Sequence, residues 1–113
     1  MIQPTRKEIL KLKKMLTDED DWMRKNAAWV FGNHPDEARD VIPALIRALE
    51  DDDAYVRFWS AKALGKIGSD ASDALEMLNN MAENDPFDGQ FLMIKFPVRY
   101  MAREAIDQIR DKP

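Results

Sequence analysis

The sequence contains no cysteine and only one histidine. The absence of cysteine excludes disulfide bonds, thiolate metal sites and a cysteine nucleophile, and it fits a protein of a reducing compartment. No apolar run approaches the roughly 18 residues that a membrane-spanning helix needs, and the N-terminus lacks the apolar segment of a secretory signal peptide. We therefore expect a cytoplasmic protein that does not cross a membrane.

Motifs for catalysis and for metal binding are scarce as well. His34 lies beside Pro35 with Asp36 and Glu37 nearby, which fits a surface loop better than a metal site. No Ser-His-Asp order, glycine-rich phosphate loop or HExxH motif occurs. No pair of carboxylates stands in an apolar setting that would tune it for catalysis. The sequence therefore predicts no enzyme activity, no cofactor and no metal.

The chain also lacks an excess of positive charge. Its 17 Lys and Arg residues stand against 21 Asp and Glu residues, which gives a net charge of −4. Because proteins that bind nucleic acids usually carry a basic excess, this balance argues against a nucleic-acid partner. The length of 113 residues, with 45% hydrophobic and 34% charged residues, suffices for one domain with a core and a polar surface.

What the sequence does contain is helical periodicity, clearest between Asp52 and Gly68. Asp53 stands where a helix needs an N-cap, and Gly68 can adopt the left-handed conformation that ends a helix. Between them, five residues follow the spacing of one buried stripe: Val56, Ser60, Ala63, Leu64 and Ile67. Similar patterns predict five further helices over about residues 5–17, 22–31, 40–49, 71–82 and 97–110.

The pattern recurs at an interval of 33 residues, which indicates internal repetition. The matching sets are Ile9, Ile42 and Leu75; Leu12, Leu45 and Leu78; Leu16, Leu49 and Ala82; Arg24 and Arg57; Gly32 and Gly65. Arg57 and Arg99 are 42 residues apart, which implies an insertion of nine residues. We therefore expect one domain over residues 1–113, with repeats at about 4–33, 36–68 and 70–111 and the insertion at 84–96.

The residues around Arg57 carry the pattern of a known family. The string Asp-x-x-Val-Arg-x-x-Ala-x-x-Ala-Leu-Gly-x-Ile-Gly resembles HEAT-like repeats, in the short form of phycobilin-lyase-type (PBS lyase) repeats. The residues that match are Asp53, Val56, Arg57, Ala63, Leu64, Gly65, Ile67 and Gly68, with Ser60 in place of an Ala. The layout is similar to that of small free-standing archaeal and bacterial HEAT-repeat proteins. The resemblance implies an all-α fold, a right-handed, armadillo-like α–α superhelix (solenoid) of three antiparallel helix pairs.

In the family that this chain resembles, the second helix of each pair lines the concave face of the stack. Aromatic, basic and apolar residues occupy outward positions there: Trp22, Lys25, Trp29, Tyr55, Phe58, Trp59, Lys62, Tyr100 and Met101. Trp and Tyr are frequent hot spots of protein interfaces. We therefore predict that these residues bind a segment of another protein; packing between neighbouring repeats is the alternative.

A second set of residues is predicted to be structural. Arg24, Arg57 and Arg99 recur at one position of the repeat. In repeats of this type, this arginine commonly pairs with a turn aspartate of a neighbouring repeat. The expected partners are Asp20, Asp21, Asp52 and Asp53. Calcium is not expected in these turns, because they lack the Asp-x-Asp-x-Asp-Gly spacing.

The insertion at residues 84–96 is the least repeat-like segment. Asp88-Gly89 predicts a turn, and residues 91–96 are too apolar for an idle loop. We expect the segment to cap the open end of the last pair, without reaching back over the aromatic residues of the first two pairs. Docking, or weak self-association through residues 87–96, is the alternative. A starting Met and a degenerate last repeat suggest a complete small protein, with a fragment of a longer solenoid as the alternative.

Three functions are compatible with these observations. The first is a non-enzymatic scaffold or adaptor that binds a protein segment on the concave face. The second is nucleic-acid binding, with the aromatic residues stacking on bases and basic residues contacting phosphates: Arg24, Lys25, Arg57, Lys62, Lys66, Arg99 and Arg103. The third, which the resemblance alone implies, is an accessory lyase or chaperone-type subunit. The acidic balance favours the first.

Overall fold

Helices make up most of the computed structural model, which describes residues 4–89 and 94–111. In these residues the α-helices are α1 (Arg6–Met15), α2 (Asp21–Asn33), α3 (Pro35–Ala38), α4 (Ile42–Ala48), α5 (Ala54–Ile67), α6 (Leu75–Asn84) and α7 (Pro97–Asp111). Two 3-10 turns, Arg39–Val41 and Ser69–Ala74, lead into α4 and α6. No β-strand occurs in the described part of the chain, and the predicted all-α class is confirmed.

Side-chain caps begin α1, α2 and α5, and the predicted cap at Asp53 is among them. The Thr5 hydroxyl accepts the N–H of Glu8 at 3.2 Å, and the Glu8 carboxylate accepts the N–H of Thr5 at 2.8 Å. These bonds form a capping box at α1 and lower the pKa of Glu8. Asp20 caps α2 by accepting the N–H of Trp22 at 3.0 Å, and Asp53 caps α5 in the same way.

The stop of α5 depends on Gly68. Its φ of 87° lies in the left-handed region that favours glycine. Its N–H donates to the carbonyls of Leu64 and Gly65, which would otherwise be unsatisfied at the end of the helix. The predicted end of this helix is therefore confirmed.

The connection between α2 and α4 differs from its predicted loop. We expected residues 33–36 to form a loop and the next helix to begin near Asp40; instead, α3 begins at Pro35. Proline suits the first helical position, because its fixed φ matches the helix and its missing N–H would have no partner there. A 3-10 turn then precedes α4, whose first turn contains Pro43.

The helices form three antiparallel pairs, α1 with α2, α4 with α5, and α6 with α7. The second helices lie side by side, and α5 packs against both α2 and α7. The stripe of α5 predicted to be buried is indeed in the core: Val56, Ser60, Ala63, Leu64 and Ile67. The pairs therefore share one core, while the exact limits of the three repeats stay a prediction.

The two ends of this stack differ. Leu45 in α4 and Leu78 in α6 are fully buried, whereas Leu12, at the same register in α1, is only partly buried. At the other end, Tyr100 and Arg103 of α7 are exposed. The first pair thus leaves apolar surface partly uncovered.

Candidate partner-binding face

The outward sides of α2 and α5 carry a cluster of large aromatic side chains. Trp22 and Trp29 stand seven residues apart, two helical turns, and so project from the same side of α2. Their exposed fractions are 62% and 50%, although both are large and apolar. Together with Tyr55, Trp59 and Lys62 of α5, they form what we call the aromatic face.

Trp29 and Trp59 join the two helices. Their ring centroids are 6.5 Å apart at an interplanar angle of 80°, an edge-to-face arrangement that aromatic pairs favour. Gly32 makes room for the ring of Trp59, because a Cβ there would lie 3.2 Å from its Cε3 atom. The half-buried Trp59 is thus held in place, while Trp29 keeps half of its surface in water.

Tyr55 forms the N-terminal part of the face on α5. The Lys25 ammonium lies 4.9 Å from the centroid of its ring and 3.9 Å from the Asp53 carboxylate. The ring of Phe87, in the insertion, lies 6.0 Å from the ring of Tyr55. Our expectation that the insertion does not reach back is therefore wrong at this point, because Phe87 partly covers Tyr55. Residues 90–93, which include part of the predicted capping or self-association segment, lie outside the described residues.

Lys62 borders the Trp29–Trp59 contact. Its ammonium lies 4.8 Å from the centroid of the Trp59 ring, within the range of a cation–π interaction. Burial lowers the pKa of Lys62, and the charge of Lys66, one turn further along α5, lowers it again. The environment of Lys62 therefore disfavours its positive charge.

The predicted residues of α7 stand apart from the Trp22 end of the face. Tyr100 is exposed, and its hydroxyl donates a hydrogen bond to the Glu104 carboxylate at 2.9 Å, which raises the pKa of Tyr100. Met101 is partly buried and packs against the core. The main contacts of α7 are with α5 and α6. A role for Tyr100 and Met101 in binding stays a prediction.

Phe58 is wrongly placed among the binding residues by the sequence argument. The structure buries its side chain in the core, where its ring contacts that of Trp59 edge-to-face at 5.1 Å. The equivalent positions hold Lys25 in α2 and Tyr100 in α7, and both are more exposed. The physical reason is location: α5 has a helix on each side, so a position that is open in an end helix is covered here.

Two of the three arginines, Arg24 and Arg57, connect consecutive turns of the stack. The Nε atom of Arg24 donates to the Asp51 carboxylate at 2.8 Å, and that of Arg57 donates to the Asp85 carboxylate at 2.7 Å. Both guanidinium groups also donate to backbone carbonyls of the turn before their own helix. Arg99 donates to the backbone carbonyl of Asp85 at 2.7 Å. The hydrogen bond to Asp51 raises the pKa of Arg24.

The predicted partners of these arginines are wrong. Asp20 and Asp53 use their carboxylates to cap α2 and α5, and Asp21 and Asp52 are exposed. The two side-chain partners are Asp51 and Asp85 instead, because Arg24 and Arg57 reach forward to the turn that follows the first helix of the next pair, α4 or α6. Three consecutive aspartates occupy residues 51–53: Asp53 caps α5, and Asp51 pairs with Arg24. Their spacing in the sequence does not show which one has which role.

The described residues show neither a cluster of metal ligands nor a membrane-spanning helix. Among residues 4–89 and 94–111, no three His, Asp or Glu side chains cluster as metal ligands. None of the helices in the same residues is both long and apolar enough to span a membrane. His34, at the junction of α2 and α3, is partly buried.

Comparison with known proteins agrees with the helix-pair architecture. The family model described as HEAT repeats matches residues 9–89, well over half of the chain. The match spans α1 to α6 and includes the aromatic face on α2 and α5. No curated protein matches the sequence.

Proposed function

The chain belongs to the HEAT-repeat family, and from this premise we propose that it is a non-catalytic adaptor whose aromatic face binds a segment of another protein. HEAT repeats generally mediate protein–protein interaction. The partner, the choice of this face and a cytoplasmic setting are parts of the proposal.

The exposure of Trp22 and Trp29 is the observation that carries the proposal. Large apolar side chains in water favour association, and tryptophan is among the residues that contribute most to protein interfaces. The two indoles project from one side of α2, and Trp29 is continuous with Trp59 on α5. A helix or an extended segment laid over them would remove this apolar surface from water.

The arrangement of the arginines counts against the nucleic-acid alternative. Arg24 and Arg57 are engaged with carboxylates, and Arg99 donates to a backbone carbonyl. These groups are therefore committed within the stack rather than presented to phosphates. A lyase or chaperone-type activity has no observation in the described residues that favours it over simple binding.

Selection from a random peptide library displayed on phage tests the proposal without knowledge of the natural partner. Peptides enriched on the wild-type protein would be synthesised, and their affinities measured by fluorescence anisotropy for wild type, Trp22→Ala and Trp29→Ala. We expect each substitution to weaken binding by about 1–2 kcal/mol, or about 5- to 30-fold, because it removes a central aromatic anchor.

Leu10→Ala is the matched control, because Leu10 is an exposed large apolar residue on α1, in the other layer of helices. It should leave peptide affinity unchanged. Circular dichroism and thermal unfolding would establish that all variants are folded. The proposal fails if no peptide is enriched, or if the enriched peptides bind Trp29→Ala as tightly as wild type.

A further inference from the structure

The charges around the aromatic face are divided along α5. Its N-terminal end adjoins the acidic turn at residues 50–53, where Asp53 caps the helix and Asp51 pairs with Arg24. Its C-terminal half presents Lys62 and Lys66, four residues apart and therefore neighbours on one side of the helix. The C-terminal end of the face is thus basic, whereas Asp51 and Asp53 at the N-terminal end are paired with Arg24 and Lys25.

The basic end lacks an acidic counterpart. In the part of the chain that the structure describes, neither Lys62 nor Lys66 forms an ion pair with a carboxylate. Lys62 is half-buried over the Trp59 ring, and the direction of its pKa shift reflects burial and the neighbouring Lys66. Two like charges one helical turn apart repel each other, so a carboxylate placed between them would relieve this repulsion.

A cavity of about 360 Å³ adjoins Lys66. It is lined by Pro35, Gly65, Lys66 and Gln108. The side-chain amide of Gln108 can donate hydrogen bonds and the Lys66 ammonium can donate as well, so the lining supplies donors suited to a carboxylate. The missing side chain at Gly65 lets the Gln108 side chain lie directly against α5 at this cavity, since a Cβ there would lie 2.4 Å from Oε1 of Gln108.

From this arrangement we infer that the segment bound by the aromatic face is acidic: an apolar side chain covers Trp29 and Trp59, and an Asp or Glu side chain binds between Lys62 and Lys66. The inference rests on the proposed function and adds the chemistry of the partner. An isolated carboxylate fits this site better than a nucleic-acid strand. Successive phosphates would extend from the two lysines towards the acidic turn at residues 50–53, which would repel them.

The peptides selected from the library test this inference through their composition and their response to charge. We expect Asp or Glu to be enriched at a fixed distance from an apolar residue. Lys62→Met and Lys66→Met should each weaken binding by about fivefold or more, since each removes a charge-assisted contact. Binding should also weaken when sodium chloride is raised from about 0.05 to about 0.5 M.

Two controls separate charge from packing. In Lys62→Met, the Met side chain replaces the aliphatic stem of the lysine over Trp59. If this variant does not fold, Lys66→Met, at an exposed position, is sufficient for the test. Lys11→Met removes an exposed lysine from α1, outside the aromatic face, and should leave affinity unchanged. A control peptide carries Asn and Gln in place of Asp and Glu. Its affinity for the wild-type protein should be about as low as the affinity of the acidic peptide for the lysine variants.

The outcomes distinguish this inference from the proposed function. Peptides that need Trp29 but show no acidic enrichment and ignore both lysine substitutions overturn the inference and leave the function standing. Peptides that ignore Trp29→Ala, or a selection that enriches none, overturn both. A fluorescent single-stranded oligothymidine that binds more tightly than every selected peptide, and needs Lys62 and Lys66, would replace the protein partner with nucleic acid.

Discussion

Ser60 is a buried residue whose hydroxyl has no hydrogen-bond partner among the described residues. The repeat pattern has Ala at this position, and Ala would fill the site without a polar group. We predict that Ser60→Ala raises the free energy of unfolding by about 1 kcal/mol or more, because it removes the cost of an unpaired buried hydroxyl and improves helix propensity. Urea unfolding measures the change; a lower midpoint would show that the hydroxyl has a stabilising contact.

Arg57 permits a second prediction at the same scale, with Arg39 as its matched control. The side chains of Arg57 and Asp85 are only 12% and 3% exposed, whereas those of Arg39 and Asp70 are 46% and 68% exposed. Arg57→Met should lower the free energy of unfolding by about 3 kcal/mol, because it leaves the buried Asp85 carboxylate uncompensated. Arg39→Met should cost less than about 1 kcal/mol, since water screens an exposed pair. Equal losses in urea unfolding would contradict a structural role for Arg57.

Individual residues show where prediction from the sequence succeeds and where it stops. Arg24 and Arg57 pair with turn aspartates, as the recurrence of arginine at one register indicated, whereas Arg99 donates to a backbone carbonyl. The run of three aspartates could not reveal which carboxylate caps a helix and which pairs with arginine. The burial of Phe58 was missed for a related reason. Register places equivalent residues on equivalent sides of a helix, but the number of neighbouring helices decides whether those sides are covered.

The close packing of α5 against α7 gives a prediction at the scale of elements. A Cβ at Gly65 would lie 2.8 Å from the Cα of Ala105, and this backbone cannot move without shifting α7. At Gly32 the nearest atom, Cε3 of Trp59, would lie at 3.2 Å. Gly65→Ala should therefore destabilise by about 1–3 kcal/mol through overpacking.

Gly32→Ala is the control for this prediction, and its effect should stay within about 1 kcal/mol, because the better helix propensity of Ala offsets a mild contact. Thermal unfolding followed by circular dichroism compares the two variants. A Gly65→Ala protein as stable as wild type would show that α5 and α7 can separate at little cost.

The helices were largely predictable from the sequence, and the connections were less so. Caps at Thr5, Asp20 and Asp53 and the stop at Gly68 depend on local chemistry, so the helix bounds they set were close to those observed. The short helix at Pro35 and the 3-10 turns contain only a few residues each. Periodicity cannot be detected in so few residues, and their conformation is set by the helices that they join.

Three leucines at the same register, one in each helix pair, test how tightly each pair is packed in the stack. Leu45 and Leu78 are fully buried, and Leu12 is partly buried in the first pair. Leu45→Ala and Leu78→Ala should each cost about 2–5 kcal/mol, the usual loss for a truncated core leucine. Leu12→Ala should cost less, because less contact is lost at the end of the stack. Urea unfolding should show one transition for all three, and an equal loss at Leu12 would mean that the first pair is covered as fully as the second.

The double use of Asp85 has a consequence for how much sequence the chain can carry between α6 and α7. Its carboxylate accepts a hydrogen bond from Arg57, and its backbone carbonyl accepts one from Arg99. These contacts therefore involve no residue between Asp85 and Arg99. The entropy of closing a loop rises only slowly with its length, by about 0.6 kcal/mol for each doubling. Foreign sequence placed between Asp88 and Gly89, where Asp88 is exposed, would leave these anchors intact. We therefore expect the position between Asp88 and Gly89 to be permissive, so that an epitope or a reporter peptide could be grafted there while the helical stack serves as its carrier.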